Sequence, residues 1–433
     1  MEQASLKKLF RYIIPATIGQ AVFFLFTIVD GIFVGNGVGE SALGAVNIVL
    51  PFVLILNAVN MLISLGGATV AAVAKGSNDK SRMQESFLHS ITFAAILMAV
   101  ITILCVCFRR PIGYLLGANE TYIDYVTEYL LYYSLFLVPS TLSMVMQFFC
   151  RVDGAPVLVM TATVVSSLLN IFLDWLFVFP LQMGVGGAAI ATGISQTVSL
   201  LILCGHPLSG KGILRFSRFT FRFSHLGELL ICGIPGAIAQ LTTPVATLCM
   251  NIAFLDLIGE IAVNAFSIIS YVSAFCLSVI LGVSEGVQPL LGQAHGQQNA
   301  KALQFYFRAS AITTVLGSAL VYGLLVLFSS PICRLFGVDA ATTEYTISVM
   351  PVNAWAFIVM SLNVLISTYL YSTLHTKKAV LLNALRALVV SPLVIFSLPY
   401  IFGGYVTWFA FGIYELISLV IAFLLLKQAT VKE

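Results

Sequence analysis

The sequence predicts an all-α integral membrane protein of about twelve transmembrane helices, in two six-helix bundles related by a pseudo-two-fold axis along the membrane normal. Three observations lead there. Hydrophobic residues make up 59% of the 433 and charged residues only 9%, whereas soluble domains carry roughly 25% charged residues. The chain holds about twelve apolar runs, each near the ~20 residues that a helix needs to cross hydrocarbon. The second half also repeats the first at a spacing of 220 residues.

The runs fall near 12–35, 43–73, 86–108, 122–148, 156–180 and 185–206, then 228–255, 262–291, 305–329, 346–371, 379–402 and 405–426. They are continuously apolar and do not alternate, which disfavours a β-barrel. The basic stretch Met1 to Arg11 leads into a run too long for a signal peptide, so the first run reads as a retained span. The eight cysteines lie mostly in apolar runs without a CxxC pair and read as small apolar fillers.

Charge placement sets the orientation. Threading twelve spans from a cytoplasmic N-terminus puts 18 of the 21 Lys and Arg residues on the cytoplasmic side, Arg386 and Lys432 among them. Only Arg109, Arg110 and Arg334 fall opposite. Such a bias predicts that both termini are cytoplasmic in a multi-pass cell-membrane protein.

In the repeat, Ile14-Pro15 and Gln20 recur as Ile234-Pro235 and Gln240, and Gly76 as Gly296. Pro111-Ile112 recurs as Pro331-Ile332, and Gly117 and Tyr125 recur as Gly337 and Tyr345. A gap of about three residues intervenes near Ala45-Val46-Asn47, which matches Ala262-Val263-Asn264. Six spans per copy give both copies one orientation. The predicted organisation is an N-terminal lobe (1–206), a basic cytoplasmic linker (207–226) and a C-terminal lobe (227–433). Two similar bundles suggest a central path and a rocking motion.

Candidate chemistry rests on acids inside the spans. An intramembrane carboxylate is costly, so it usually faces a cavity and marks an ion or substrate path. Asp30 and Asp174 fall in the outer halves of spans 1 and 5. Asn170 precedes Asp174 by four residues on the same helical face, and Thr192 enters span 6 at the same depth. Oxygen ligands of this kind suit hard cations such as Na⁺. Neighbouring carboxylates also repel, which favours a proton on one of them. Glu285, with Gln288 and Gln20, is a secondary candidate for coupling or for the substrate. Pro15 and Pro235 each kink the first span of a half, and Pro15 is the candidate hinge. The surplus of 32 Phe and 16 Tyr serves mostly lipid-facing packing, with a minority able to stack on cationic guests.

Other classes are disfavoured. A formal charge of +3 is too small to suggest nucleic acid. Gly205 to Lys211 fits G-x-x-x-x-G-K, but Gly212 stands where a nucleotide site needs Ser or Thr, and a helix precedes it in place of a strand. No nucleotide is expected. No aspartate-rich motif of the DDxxD kind is present for a membrane-embedded prenyltransferase.

Val29-Asp30-Gly31-Ile32-Phe33-Val34-Gly35, Asn170-Ile171-Phe172-Leu173-Asp174, Gly187-Ala188-Ala189-Ile190-Ala191-Thr192 and Glu285-Gly286-Val287-Gln288-Pro289-Leu290 together resemble the multidrug and toxic compound extrusion (MATE) family. The likeness covers nearly the whole chain. It implies a transporter, not an enzyme: an inner-membrane antiporter working by alternating access, driven by H⁺ or Na⁺, that exports amphipathic, often cationic compounds. It further implies a cation site at Asp30, Asn170, Asp174 and Thr192, and a bend of the first helix at Pro15. The chain departs from some relatives in having no deep acid in the middle of span 7 or span 10; Asp256 lies near the outer end of span 7. The expected state is a monomer without cofactor, whose partners are the bilayer and a small amphipathic substrate. The alternative is a flippase for lipid-linked oligosaccharides of similar two-lobe plan, disfavoured because the spans hold almost no basic residue besides Arg386.

Overall fold

The computed structural model describes residues 4–38, 40–335 and 339–430; Gly337 and Lys432 lie outside them. The first half runs α1 (Leu6–Val38), α2 (Glu40–Gly76), α3 (Lys80–Leu115), α4 (Ile123–Leu135), α5 (Leu137–Asp153), α6 (Pro156–Val178) and α7 (Gly184–Ser209). The second runs α8 (Phe223–Leu257), α9 (Glu260–Gly296), α10 (Ala300–Leu327), α11 (Ser329–Leu335), α12 (Ala340–Ala354), α13 (Ala356–Ser372), α14 (Thr376–Ala384), a π-helical stretch at Leu385–Val390, α15 (Ser391–Phe402) and α16 (Thr407–Thr430). Among the described residues eleven helical segments are long and apolar enough to cross a membrane. The pair α4 and α5, bent by 50° at Phe136, is long and apolar enough together to count as a twelfth when taken as one span.

Helix is the expected outcome here, since hydrocarbon offers backbone amides no partner outside the segment. Where the helices stop, the sequence repeat becomes a backbone repeat. Asp79 caps α3 by accepting from Arg82 N at 2.9 Å, and Asn299, 220 positions on, caps α10 by accepting from Ala302 N at 3.0 Å. The residues before these caps, Asn78 and Gln298, both take positive φ, 63° and 52°. Phe108 breaks the helical geometry inside α3, and Phe328 separates α10 from α11. Gly154 ends α5 at φ 103°, and its counterpart Leu374 follows α13 at φ 58°.

The chain forms two compact units. One spans Ile18–Gly233; the other joins Met1–Thr17 to Ile234–Glu433. The chain passes between them inside α1 and α8, within two residues of Pro15 and Pro235. Residues 207–226 fall in the first unit. Asp153 anchors that segment, accepting from Ile213 N at 2.9 Å and Leu214 N at 3.2 Å and meeting His206 Nε2 at 2.8 Å. Gly205–Ser209, part of the nucleotide-like motif, is the end of α7.

Each unit has its own packed interior. In the unit containing 234–433, Trp408 lies against Phe254 with ring centroids 4.2 Å apart, and Phe254 against Phe266 at 5.0 Å. Such aromatic pairs add about 0.5–1.5 kcal/mol each. Leu168, Leu201, Ile103, Leu316 and Leu393 are exposed, as helices facing lipid require. Lipid tails are as apolar as leucine, so close packing of small residues has to hold the helices together. Gly193 in α7 meets Phe136, and Gly412 in α16 meets Trp355; in each place an added Cβ would come within 2.0 Å of the ring.

Candidate functional site

Asp30 lies near the end of α1, where the backbone continues helically to Val38. Asn170 and Asp174 sit one turn apart on α6, 1% and 0% exposed. Thr192 follows on α7, held next to α4–α5 by the close approach of Gly193 to Phe136. All four belong to the unit spanning 18–233.

The structure brings these side chains together. The carboxyls of Asp30 and Asp174 are close enough to interact, and Asn170 lies beside Asp174. Asn170 Nδ2 donates to Thr192 Oγ1 at 3.4 Å. Tyr129 on α4 stands close enough to feel both acids and stacks on Tyr133, centroids 5.8 Å apart and planes 13° apart.

Four oxygens in this cluster are buried without a hydrogen-bond donor: Asp30 Oδ1, Asn170 Oδ1 and both oxygens of Asp174. Two carboxylates facing each other are both acceptors, so neither can satisfy the other. A buried acceptor left unmatched costs about 1–3 kcal/mol, more if charged. A proton shared between the acids, or a cation among the oxygens, is the chemistry that would match these acceptors.

The secondary candidates lie elsewhere. Glu285 and Gln288 are on α9 in the other unit, Glu285 half-buried and Gln288 buried, while Gln20 is half-buried on α1. None of the three is without partners.

One acid escapes the sequence reading. Glu415, at 0% exposure in α16, is the most deeply buried carboxylate of the second unit, and Arg386 in the π-helical stretch is 6% exposed. Arg386 Nη2 donates to Glu415 Oε1 at 2.6 Å and Nε donates to both oxygens at 3.1 Å. Asn363 Nδ2 donates to Glu415 Oε2 at 2.6 Å. Arg386 therefore does not belong with the cytoplasmic charges, because its guanidinium is neutralised within the span region. A lone Glu and a lone Arg in neighbouring apolar runs were the available signal.

Twelve spans in two matching copies, with ligand-poor acids in one copy, define a membrane transporter. The chain belongs to the MatE family, whose model matches residues 15–176 and again 235–396, the same 220-residue spacing. The multidrug export protein MepA of Staphylococcus saprophyticus is 25% identical over 99% of this chain and 95% of its own length. An FAD transporter of Shewanella oneidensis is 26% identical over 77% of this chain and 74% of its own. The outward-facing structure of a multidrug resistance MATE family transporter of the MOP superfamily superimposes with a TM-score of 0.92 at 23% identity, covering 99% of this chain and 98% of that one. The family's proteins are transporters and not enzymes.

Proposed function

We propose that the protein is a cation-coupled antiporter that exports amphipathic, cationic drugs or toxic metabolites by alternating access, acting as a monomer in the cell inner membrane with both termini in the cytoplasm. The coupling ion is H⁺ or Na⁺, and Asp30, Asn170, Asp174 and Thr192 are its ligands. One observation carries the reading: four buried oxygens of these residues lack a donor. The relatives named for multidrug export support the choice of guest. Pro15, two residues before the chain leaves one unit for the other, is the hinge.

In this reading the acids take up a cation from outside, and its entry drives the exchange that expels the guest. Membrane potential supplies about 2.3 kcal/mol per charge per 100 mV, and each tenfold ion gradient adds about 1.4 kcal/mol. One or two cations then hold a guest gradient of roughly a hundredfold or more. The flippase alternative needs fixed positive charge for a pyrophosphate, and the buried Arg386 is already matched by Glu415.

The test is uptake of a cationic dye into liposomes holding the purified protein, with Na⁺ and pH gradients imposed separately. Dye should accumulate against its gradient under one of the two and not without either. Accumulation that ignores both gradients, or export of anionic compounds only, would refute the reading.

A further inference from the structure

The unit containing 234–433 has an open-mouthed cavity lined from α8, α9, α12, α13, α16 and the π-helical stretch. Its walls include Met250, Phe266, Phe357, Arg386, Phe411 and Tyr414. The 220-residue repeat gives this location a meaning. Met250 is the counterpart of Asp30, Arg386 stands one turn before the counterpart of Asn170, and Phe411 and Tyr414 flank the counterpart of Thr192. The cavity occupies the repeat position of the acid cluster, with its chemistry changed. Where the first copy has oxygens lacking a donor, the second has aromatic walls and an arginine already balanced by Glu415.

We propose that this cavity is a guest-binding site selective for aromatic molecules that carry a hydrogen-bond acceptor, such as a carbonyl or carboxylate, which Arg386 receives. Four aromatic side chains, Phe266, Phe357, Phe411 and Tyr414, provide faces for a flat ring system. The ion pair uses Nε and Nη2 of Arg386, which leaves Nη1 outside it on a residue that lines the cavity. Glu415 and its donor Asn363 hold the guanidinium in place, so the donor is oriented before a guest arrives. Because the pair is neutral overall, the acceptor need not be charged, and a cation elsewhere on the guest is tolerated. Arg386 also lies in the π-helical stretch Leu385–Val390, while its counterpart in α6 is α-helical throughout; such π-turns recur at functional sites. A site built to hydrogen-bond a ligand rejects the analogue lacking that group more strongly than a greasy pocket rejects a missing methylene. Calling the bound molecule a transported guest rests on the export reading, but binding itself needs no gradient.

The experiment is equilibrium dialysis of the protein in lipid nanodiscs, corrected with empty nanodiscs, using 2-acetonaphthone and 2-ethylnaphthalene. The two share a shape and differ in the acceptor. Wild-type protein should bind the ketone at least tenfold more tightly. Arg386→Met combined with Glu415→Leu removes the pair without stranding a charge; it should abolish the preference, bringing the two affinities together. Phe411→Ala should weaken both several-fold. Equal binding of the two probes to wild type, or a preference that survives the paired substitution, overturns the proposal. The wild-type ratio decides alone if the paired variant does not fold. Failure here leaves ion coupling untouched, and failed coupling leaves these affinities untouched.

Discussion

Asn170 on α6 donates its amide to the hydroxyl of Thr192 on α7, a bond of 3.4 Å that ties the two helices together at the acid cluster. Thr192→Ala removes both that acceptor and one oxygen of the proposed cation site. Net loss of one such interaction is worth about 1 kcal/mol, roughly a fivefold change in apparent cation affinity. The maximal transport rate should hold. Initial rates measured against ion concentration in liposomes separate the two effects, and Asn170→Ala should behave alike.

Asp30→Asn and Asp174→Asn remove charge from the cluster and keep its shape. Each should abolish uphill export while leaving insertion and folding intact, because a neutral isostere relieves a buried charge. Thermal unfolding in detergent should stay within a few degrees of wild type. If the double variant still concentrates guest in liposomes, coupling lies elsewhere, and Glu285 becomes the residue to test.

Pro15→Ala restores an amide to α1 beside the point where the chain leaves one unit for the other. A helix without the proline is stiffer. Transport should slow several-fold at unchanged apparent cation affinity, a split that rate-against-concentration curves resolve. An unchanged rate would mark the kink as static.

The Arg386–Glu415 pair is buried on both sides, with side chains 7% and 0% exposed. Arg386→Ala strands Glu415, and breaking a buried pair in this way costs about 3–5 kcal/mol. The double replacement by Met and Leu should be neutral or stabilising. Thermal unfolding of the two variants side by side tests the difference.

Leu374 holds a left-handed conformation at φ 58° where the first copy of the turn has Gly154. A side chain there costs about 1–2 kcal/mol. Leu374→Gly should therefore raise the unfolding temperature, and a lower one would show that the leucine contributes more by packing than it loses in strain.

The spans were legible because hydrocarbon imposes length and apolarity directly on the sequence. Asp30 and Asp174 stood out because a carboxylate in such a run is rare. Their meeting was implied by matched depth, and the structure adds the detail that depth alone does not hold, namely which oxygens lack donors. Glu415 was harder to find. Its partner is 29 positions away on another helix, and only packing decides whether such a pair meets or whether each member turns toward a headgroup. The break at Phe136 had a local signal in Pro139, which has no amide to donate back to Leu135, whereas the seating of the Phe136 ring on Gly193 of a different helix could not be read from sequence. Leu374 runs against its own local preference, so sequence could not have announced a left-handed turn there.

The passage of α1 and α8 between units means that neither sequence half is self-sufficient. Residues up to Thr17 fold with the second half, where Gly282 and Gly286 of α9 have no room for a Cβ because the backbone of Thr17 and Ile13 presses on them. The start of α8 folds with the first half, where Gly233 meets the backbone of Leu62 on α2 at the same kind of distance. Severing the chain in 207–226 would leave each fragment with a bare groove and with a helical stub that belongs to its sibling. Two such fragments made in one cell should rescue each other and neither should persist alone, so an ancestral single-copy protein would have needed a second molecule of itself to close the same grooves.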